Sequence, residues 1–143
     1  MQKLNRTMYY LLSLTWGLPM TLIGLIMSAF LIMLGYKPKR FGWTFYFEVG
    51  KGWGGIDLGL TFICNKHNNS ATKAHEFGHS IQNCFFGPFM LIVVSVPSAI
   101  RYWYREYQYR KGIRNLPDYD AIWFEGQATQ LGAWYRDAYF YNS

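Results

Sequence analysis

The longest feature of the hydrophobic pattern is an uncharged stretch near the start of the chain. No charged residue occurs from Thr7 to Tyr36, and about 20 apolar residues suffice to span the hydrocarbon core of a bilayer. Lys3 precedes the stretch and Lys37 follows it. The run is too long for the usual core of a cleaved signal peptide, which is the competing interpretation. We therefore predict a transmembrane anchor over 1–36, kinked at Pro19.

Residues 41–64 are rich in aromatic and β-branched residues, and five glycines occur from 50 to 59. This pattern predicts a β-hairpin that turns at 50–54, although the glycines also permit an irregular loop. A polar loop follows at 66–70. Asn69 or Ser70 is a suitable N-cap for a helix over 71–86, which we expect to end near Gly87 and Pro88.

A second hydrophobic patch covers 85–100 and is short for a full span. We expect it to dip partly into the membrane or to be buried, with a helix that begins near Pro97. A last helix should begin near Asp118. The pattern predicts an α+β fold, mostly helical, in two parts: the anchor at 1–36 and a domain at 37–143.

Composition supports a membrane location and argues against nucleic acid as a partner. Hydrophobic residues make up 51%, aromatic residues 20% and charged residues 15% of the 143 residues, with a net charge of +6. Twelve tyrosines and six tryptophans suit a lipid–water interface, although an aromatic core would have the same composition. The chain has no basic recognition helix. Cys64 and Cys84 follow no recognised spacing, so a disulfide between them stays open.

The strongest chemical signal is His75-Glu76-Phe77-Gly78-His79, an H-E-x-x-H motif. Residues four apart lie on one face of a helix, so both imidazoles point at the same spot. Two imidazoles at this spacing suit one Zn²⁺ ion, and Glu76 is placed to act as general base. The alternative is a helix whose histidines repeat on one face by coincidence.

A catalytic zinc site needs a third protein ligand. Glu125 follows Trp123 and Phe124 on the last predicted helix, and a carboxylate among apolar neighbours needs a partner. Glu125 is therefore our predicted third ligand. The alternative is the solvated face of an amphipathic helix.

The motif and the later glutamate resemble those of gluzincin-type zinc metallopeptidases, in which two histidines and a downstream glutamate bind zinc. Membrane members often carry E-x-x-A-D around that glutamate; this chain has Glu125-Gly126-Gln127-Ala128-Thr129. The resemblance implies that Thr129, in place of aspartate, supports a metal-binding histidine. It also implies that an extended substrate pairs with an edge strand at 56–63. The side chains assigned to that strand are Ile56, Leu58, Leu60 and Phe62.

These observations predict a membrane-anchored zinc metalloendopeptidase that acts on a peptide or membrane-protein substrate. We expect an integral membrane protein with its catalytic part at the surface. The excess of one positive charge after the first hydrophobic stretch favours the cytoplasmic side. Two rivals stay open: a site-2-type intramembrane protease, and a non-catalytic membrane protein with structural zinc, for which His67 or a cysteine would be the fourth ligand.

Overall fold

The protein combines a small sheet with a larger set of helices, which confirms the α+β, mostly helical prediction. The structure, a computed structural model, describes residues 4–66 and 69–140. Within these residues the α-helices are α1 (Arg6–Leu14), α2 (Leu18–Met33), α3 (Ser70–Phe86), α4 (Val96–Arg110) and α5 (Trp123–Phe140). The strands are β1 (Lys39–Phe41), β2 (Thr44–Glu48), β3 (Gly55–Leu58) and β4 (Thr61–Cys64).

The sheet has the order β1-β2-β4-β3 and differs from the predicted hairpin. Strands β1 and β2 pair antiparallel, as do β3 and β4, whereas β2 and β4 run parallel. Gly42 and Gly59 adopt positive φ values of 60° and 74°, which a tight turn requires and which glycine adopts without strain. Each predicted strand segment therefore folds back on itself, and the prediction of one hairpin turning at 50–54 was wrong.

The uncharged stretch at the start of the chain forms two helices instead of one kinked span. Helices α1 and α2 are bent by 87°, and Pro19 lies in the first turn of α2, where its missing N–H costs no hydrogen bond. Asn83 Nδ2 donates to the Gly17 carbonyl over 3.1 Å and holds the corner. Among the described residues, no single helix is long and apolar enough to cross a membrane. Helices α1 and α2 meet that requirement only as a bent pair.

Helix α1 packs against the helix that carries the H-E-x-x-H motif. Tyr9 is fully buried, and its hydroxyl donates to Ser80 Oγ over 2.9 Å. The Tyr9 ring also packs against Trp43 and Phe77, with centroids 5.2 and 6.1 Å away. The start of the chain therefore contributes to the core that supports α3.

Helices α3 and α5 approach each other closely because small residues line their contact. A Cβ on Gly78 would overlap the backbone carbonyl of Ala128, and a Cβ on Gly132 would overlap that of Ala74. Only glycine leaves room for backbones at this separation. This packing brings the first turn of α5 over the middle of α3, where the two histidines lie.

The second hydrophobic patch forms a chain of short helical turns. A 3₁₀ turn (Gly87–Phe89) and a π-helical turn (Leu91–Ser95) lead into α4. The segments Ser70–Phe89 and Leu91–Arg110 are bent by 118°. Pro97 lies in the first turn of α4 as predicted. The last helix begins at Trp123, later than predicted, because a 3₁₀ turn (Tyr119–Ala121) occupies the preceding residues.

Candidate metal centre and cleft

Helix α3 presents both histidines of the motif towards one point. Its N-cap is Asn69, whose Oδ1 accepts the Thr72 N–H over 2.9 Å, one of the two caps predicted. One turn separates His75 from His79, so their rings meet edge to face with centroids 4.7 Å apart. The two Nε2 atoms are 3.1 Å apart. The helical spacing thus has the geometric result expected of the motif.

Helix α5 brings Glu125 to the same point. Glu125 Oε2 lies 2.9 Å from His75 Nε2 and 3.1 Å from His79 Nε2. The carboxylate is fully buried, and Ser98 Oγ on α4 donates to its other oxygen, Oε1. The predicted third ligand therefore converges with the histidine pair across a sequence separation of 46 residues from His79.

Hydrogen bonds on the far side of each imidazole fix its orientation and its tautomer. Thr129 Oγ1 donates its only proton to Asp120 Oδ2 over 3.0 Å, so it must accept from His75 Nδ1, 2.8 Å away. Gln82 donates through Nε2 to the Phe124 carbonyl over 2.8 Å. Its Oε1 therefore accepts from His79 Nδ1 over 2.7 Å. Each imidazole, when neutral, therefore carries its proton on Nδ1 and directs its Nε2 lone pair towards Glu125.

With both imidazoles neutral, three lone-pair donors meet at this point, so a positive charge must lie among them, either a metal ion or a proton on one Nε2. Tetrahedral ligands with bonds of about 2.0–2.1 Å to zinc stand roughly 3.3 Å from one another, close to the 2.9–3.1 Å separations found here. His75, His79 and Glu125 form a group that could bind a metal ion. An oxygen acceptor behind a metal-binding imidazole, here the Thr129 hydroxyl and the Gln82 amide oxygen, holds such ligands in position.

Without a metal, the pKa values of His79 and Glu125 show that this site favours a positive charge. Burial by itself would lower the pKa of His79, but the hydrogen bond to Glu125 and the nearby carboxylates raise it from 6.5 to about 9. Burial by itself would raise the pKa of Glu125, yet its hydrogen bonds with both histidines hold that pKa well below its usual range. A divalent cation would satisfy the same groups by displacing the proton.

Glu76 lies beside this group, next to the sheet. It is only 5% exposed, and burial raises the pKa of its carboxyl. A Cβ on Gly55 would lie 2.9 Å from Glu76 Oε1, so glycine at this position lets β3 approach the carboxylate. The predicted general base therefore lies between the ligand group and the edge of the sheet.

Two cavities meet at Glu76, and both are lined by Gly55, Glu76, Tyr102 and Tyr119. The polar cavity, about 380 Å³, extends past His75 to Thr72, Arg105, Glu106, Asp120 and Thr129. The apolar cavity, about 450 Å³, extends past His79 to Met20, Ile23, Ile56, Leu91, Val94 and Trp103. Together they form a cleft with Glu76 and the ligand group at its middle.

The predicted edge-strand residues are only partly at an edge. Ile56 and Leu58 lie on β3, which is the last strand of the sheet, and both line the apolar cavity. Leu60 lies in the turn after β3, and Phe62 lies on β4, which pairs on both sides. Leu60 and Phe62 were therefore wrongly assigned to the edge, because the segment 55–64 turns at Gly59.

The remaining residues for which the sequence suggested a role in the site are Thr129, the two cysteines and His67. Thr129 takes the position predicted for it behind His75. Cys64 and Cys84 are buried and form no disulfide. His67, the alternative fourth ligand, lies outside the described residues.

Sequence reasoning missed three residues that hold the ligands in place: Gln82, Ser98 and Asp120. Gln82 follows His79 by one turn, and this i, i+3 spacing on one helix face could have revealed it. Nothing in the spacing between Asp120 and Thr129 shows that Asp120 accepts the hydroxyl proton. Ser98 comes from α4, so only the tertiary packing shows its contact with Glu125.

Comparison of the chain with protein-family models, with curated proteins and with solved structures gave no match.

Proposed function

We propose that this protein is a membrane-anchored zinc metalloendopeptidase. The observation that carries the proposal is the convergence of His75 Nε2, His79 Nε2 and Glu125 Oε2 within 3.1 Å of one another, with Glu76 beside them at the middle of a cleft. The order of these residues along the chain is the one on which the resemblance to gluzincins rests. The geometry of these residues supports the proposal independently of that resemblance.

The donor set favours zinc over other metals. Two imidazoles and one carboxylate are typical ligands of catalytic zinc, whereas Mg²⁺ and Ca²⁺ take oxygen ligands. When bound, Zn²⁺ supplies Lewis acidity that lowers the pKa of water and polarises a carbonyl. The group holds three ligand residues in the part of the chain that the structure describes. This leaves a coordination position for water or substrate, which favours catalysis over a structural zinc site.

Glu76 is proposed to take the proton from the attacking water and to deliver it to the leaving amine. Burial raises its pKa, so the carboxylate becomes a stronger base than an exposed glutamate, as a general base near neutral pH requires. Its place at the junction of the two cavities puts it beside any chain that crosses the cleft.

Tyr119 is the tyrosine best placed to stabilise the oxyanion that forms on the scissile carbonyl. Its ring lies 6.1 Å from that of His75, and it lines both cavities. Burial is the main cause that raises the pKa of its hydroxyl to about 12, and the nearby Glu125 and Glu76 carboxylates act in the same direction. The hydroxyl therefore keeps its proton at neutral pH and can donate a hydrogen bond.

We propose that lipid covers the apolar outer surface of α2, of the π-helical turn and of the first turns of α4. On α2, Leu22, Ile26, Phe30 and Met33 are 50–84% exposed. Ile92 on the π-helical turn and Ile100 on α4 are 71% and 61% exposed. The edge-to-face contact between Trp16 and Phe89, with centroids 6.2 Å apart, joins the two parts. So large a continuous apolar surface is unusual for a protein surrounded by water. We call it the apolar surface below.

The polar cavity favours a site at the membrane surface over an intramembrane site. Arg105, Glu106 and Asp120 line it next to His75, and charged side chains are costly within the hydrocarbon core. We therefore propose an integral membrane protein whose cleft lies at the surface, on the cytoplasmic side given the flanking charges. A site-2-type protease would need the same charges inside the bilayer.

The experiment is the variant Glu76→Gln, purified as the full chain in detergent micelles. We expect it to retain zinc, since Glu76 is not a ligand, and to lose cleavage of a quenched-fluorescent peptide library. Glu48→Gln is the matched control, because Glu48 lies on β2 outside both cavities and pairs with Lys39 and Lys73. Equal proteolysis by wild type and Glu76→Gln would reject the proposal.

A further inference from the structure

The cleft is asymmetric in polarity about the ligand group. On the His75 side, the polar cavity is lined by charged and hydroxyl side chains, including Arg105, Glu106 and Asp120. On the His79 side, most side chains of the apolar cavity are aliphatic or aromatic. A polypeptide lying across the cleft would therefore meet two different environments on the two sides of Glu76.

The apolar half of the cleft is built by the elements that also form the apolar surface. Helix α2 contributes Met20 and Ile23, and the π-helical turn contributes Leu91 and Val94. The neighbouring side chains Leu22 and Ile92 are 50% and 71% exposed on the outside. The cavity wall and the proposed lipid contact are thus two sides of the same helices, and the apolar half lies on the membrane side.

The edge of the sheet offers backbone groups that can orient a substrate. Asn65 N–H donates to the Gly54 carbonyl over 3.3 Å, so Gly54 and Asn65 form a hydrogen-bonded pair in the β3–β4 ladder. Because such pairs alternate along antiparallel strands, the N–H and C=O groups of Gly55 and Asp57 point away from β4. Those groups can pair with an added strand.

The direction of β3 determines which end of an added strand lies in the polar cavity and which end lies in the apolar cavity. Gly54, which directly precedes β3, lines the polar cavity, and Leu58, at the end of β3, lines the apolar cavity. Antiparallel pairing is the more stable of the two arrangements. A substrate added antiparallel to β3 would place its N-terminal part beside Leu58 and its C-terminal part beside Gly54.

We propose that the substrate is a membrane polypeptide cut where a membrane-embedded apolar stretch passes into a polar stretch, with the apolar residues before the scissile bond. This inference rests on the proposed function and adds to it the class and the orientation of the substrate. The lipid-facing position of the apolar cavity explains how such a stretch reaches Glu76 without crossing water.

The test uses two quenched-fluorescent peptides of identical composition. In the first, an apolar block precedes the central bond and a polar block follows it; in the second, the blocks are exchanged. With the zinc-loaded full chain in micelles, we expect kcat/KM for the first peptide to be at least about tenfold higher, because misplacing apolar groups costs roughly this much in a fitted pocket. Equal values, or a preference for the second peptide, would overturn the inference.

A matched pair of variants tests whether the apolar cavity causes the preference for the first peptide. Ile56→Ser changes a 45% exposed side chain that lines the apolar cavity, so we expect folding to persist and the preference to fall several-fold. Phe45→Ser is the control, since Phe45 is 37% exposed on β2 and does not line the apolar cavity. An unchanged preference in Ile56→Ser would contradict the role of the cavity.

A measurement of peptide binding tests the substrate orientation separately from the proposed peptidase activity. If neither peptide is cleaved by wild type, peptidase activity towards these sequences is rejected. The fluorescence anisotropy of each peptide with the zinc-loaded Glu76→Gln variant then decides the orientation without turnover. Tighter binding of the first peptide supports the inference, and equal or weaker binding rejects it.

Discussion

The hydroxyl of Thr129 connects the imidazole of His75 to the carboxylate of Asp120, and its removal should weaken metal binding. Thr129→Val keeps the shape of the side chain but leaves His75 Nδ1–H without the acceptor that it has at 2.8 Å. An unsatisfied, largely buried donor costs about 1–3 kcal/mol. Because ~1.4 kcal/mol corresponds to a tenfold change in affinity, we expect Kd for zinc to rise about 5- to 150-fold.

Asp120→Asn should have a smaller effect on the same affinity. The amide oxygen can still accept the Thr129 hydroxyl proton, and Asp120 is exposed, so loss of its charge is screened by water. We expect less than about a tenfold change in Kd, following the 1.4 kcal/mol conversion. The combined variant Thr129→Asp with Asp120→Asn places a carboxylate directly behind His75. Unlike Thr129→Val, it should have a Kd for zinc near the wild-type value.

The assay is competition for zinc with a calibrated chelator, together with the visible spectrum of the Co²⁺-loaded protein. The spectrum reports ligand geometry, so a shifted band in Thr129→Val shows that the imidazole has moved, which a change in overall stability would not produce. Thr15→Val is the control, because the Thr15 hydroxyl donates to the Leu11 carbonyl on α1, away from the site. A wild-type Kd and an unchanged Co²⁺ spectrum in Thr129→Val would refute the reasoning.

Three further predictions concern stability, pH and turnover. Gly78→Ala should lower the free energy of unfolding by about 1–3 kcal/mol in denaturant titrations, because its Cβ overlaps the Ala128 carbonyl. Gly54→Ala is the control and should leave the free energy of unfolding unchanged, because Gly54 has open space around it. Equal effects of the two substitutions would contradict this packing. The metal-free protein should lose stability as pH rises from 6.5 to about 9, because the folded-state pKa of His79 is raised over that interval. Since metal binding needs the deprotonated imidazole, the increase in melting temperature on zinc addition should grow with pH; a constant increase would count against His79 as a ligand. Tyr119→Phe should lower kcat roughly 10²-fold with little change in zinc content, and an unchanged kcat would exclude its oxyanion role.

The sequence predicted the chemistry of the site better than the path of the chain. The fixed geometry of an α-helix determines where His75 and His79 point relative to each other, so spacing alone predicts their convergence. Glu125 was predicted from its apolar neighbours, because a buried carboxylate needs a partner. These inferences depend on local geometry and on desolvation, both of which can be read from the residues.

The path of the chain depended on turns and contacts that periodicity does not reveal. Pro19 was interpreted as a kink within one helix, whereas it begins a new helix after a corner held by Asn83. The strand segments were each taken as one strand, although Gly42 and Gly59 divide them. The contact of Ser98 with Glu125 and the close packing at Gly78 and Gly132 are tertiary, so no local pattern predicts them.

X-ray absorption at the zinc edge of the purified full chain in micelles identifies the atoms bound to the metal. We expect two imidazole nitrogens and at least one oxygen at about 2.0–2.1 Å, with the oxygen contribution reduced in Glu125→Ala. A sulfur scatterer at about 2.3 Å, a number of imidazoles other than two, or a spectrum unchanged by Glu125→Ala would contradict convergence of His75, His79 and Glu125 on one ion.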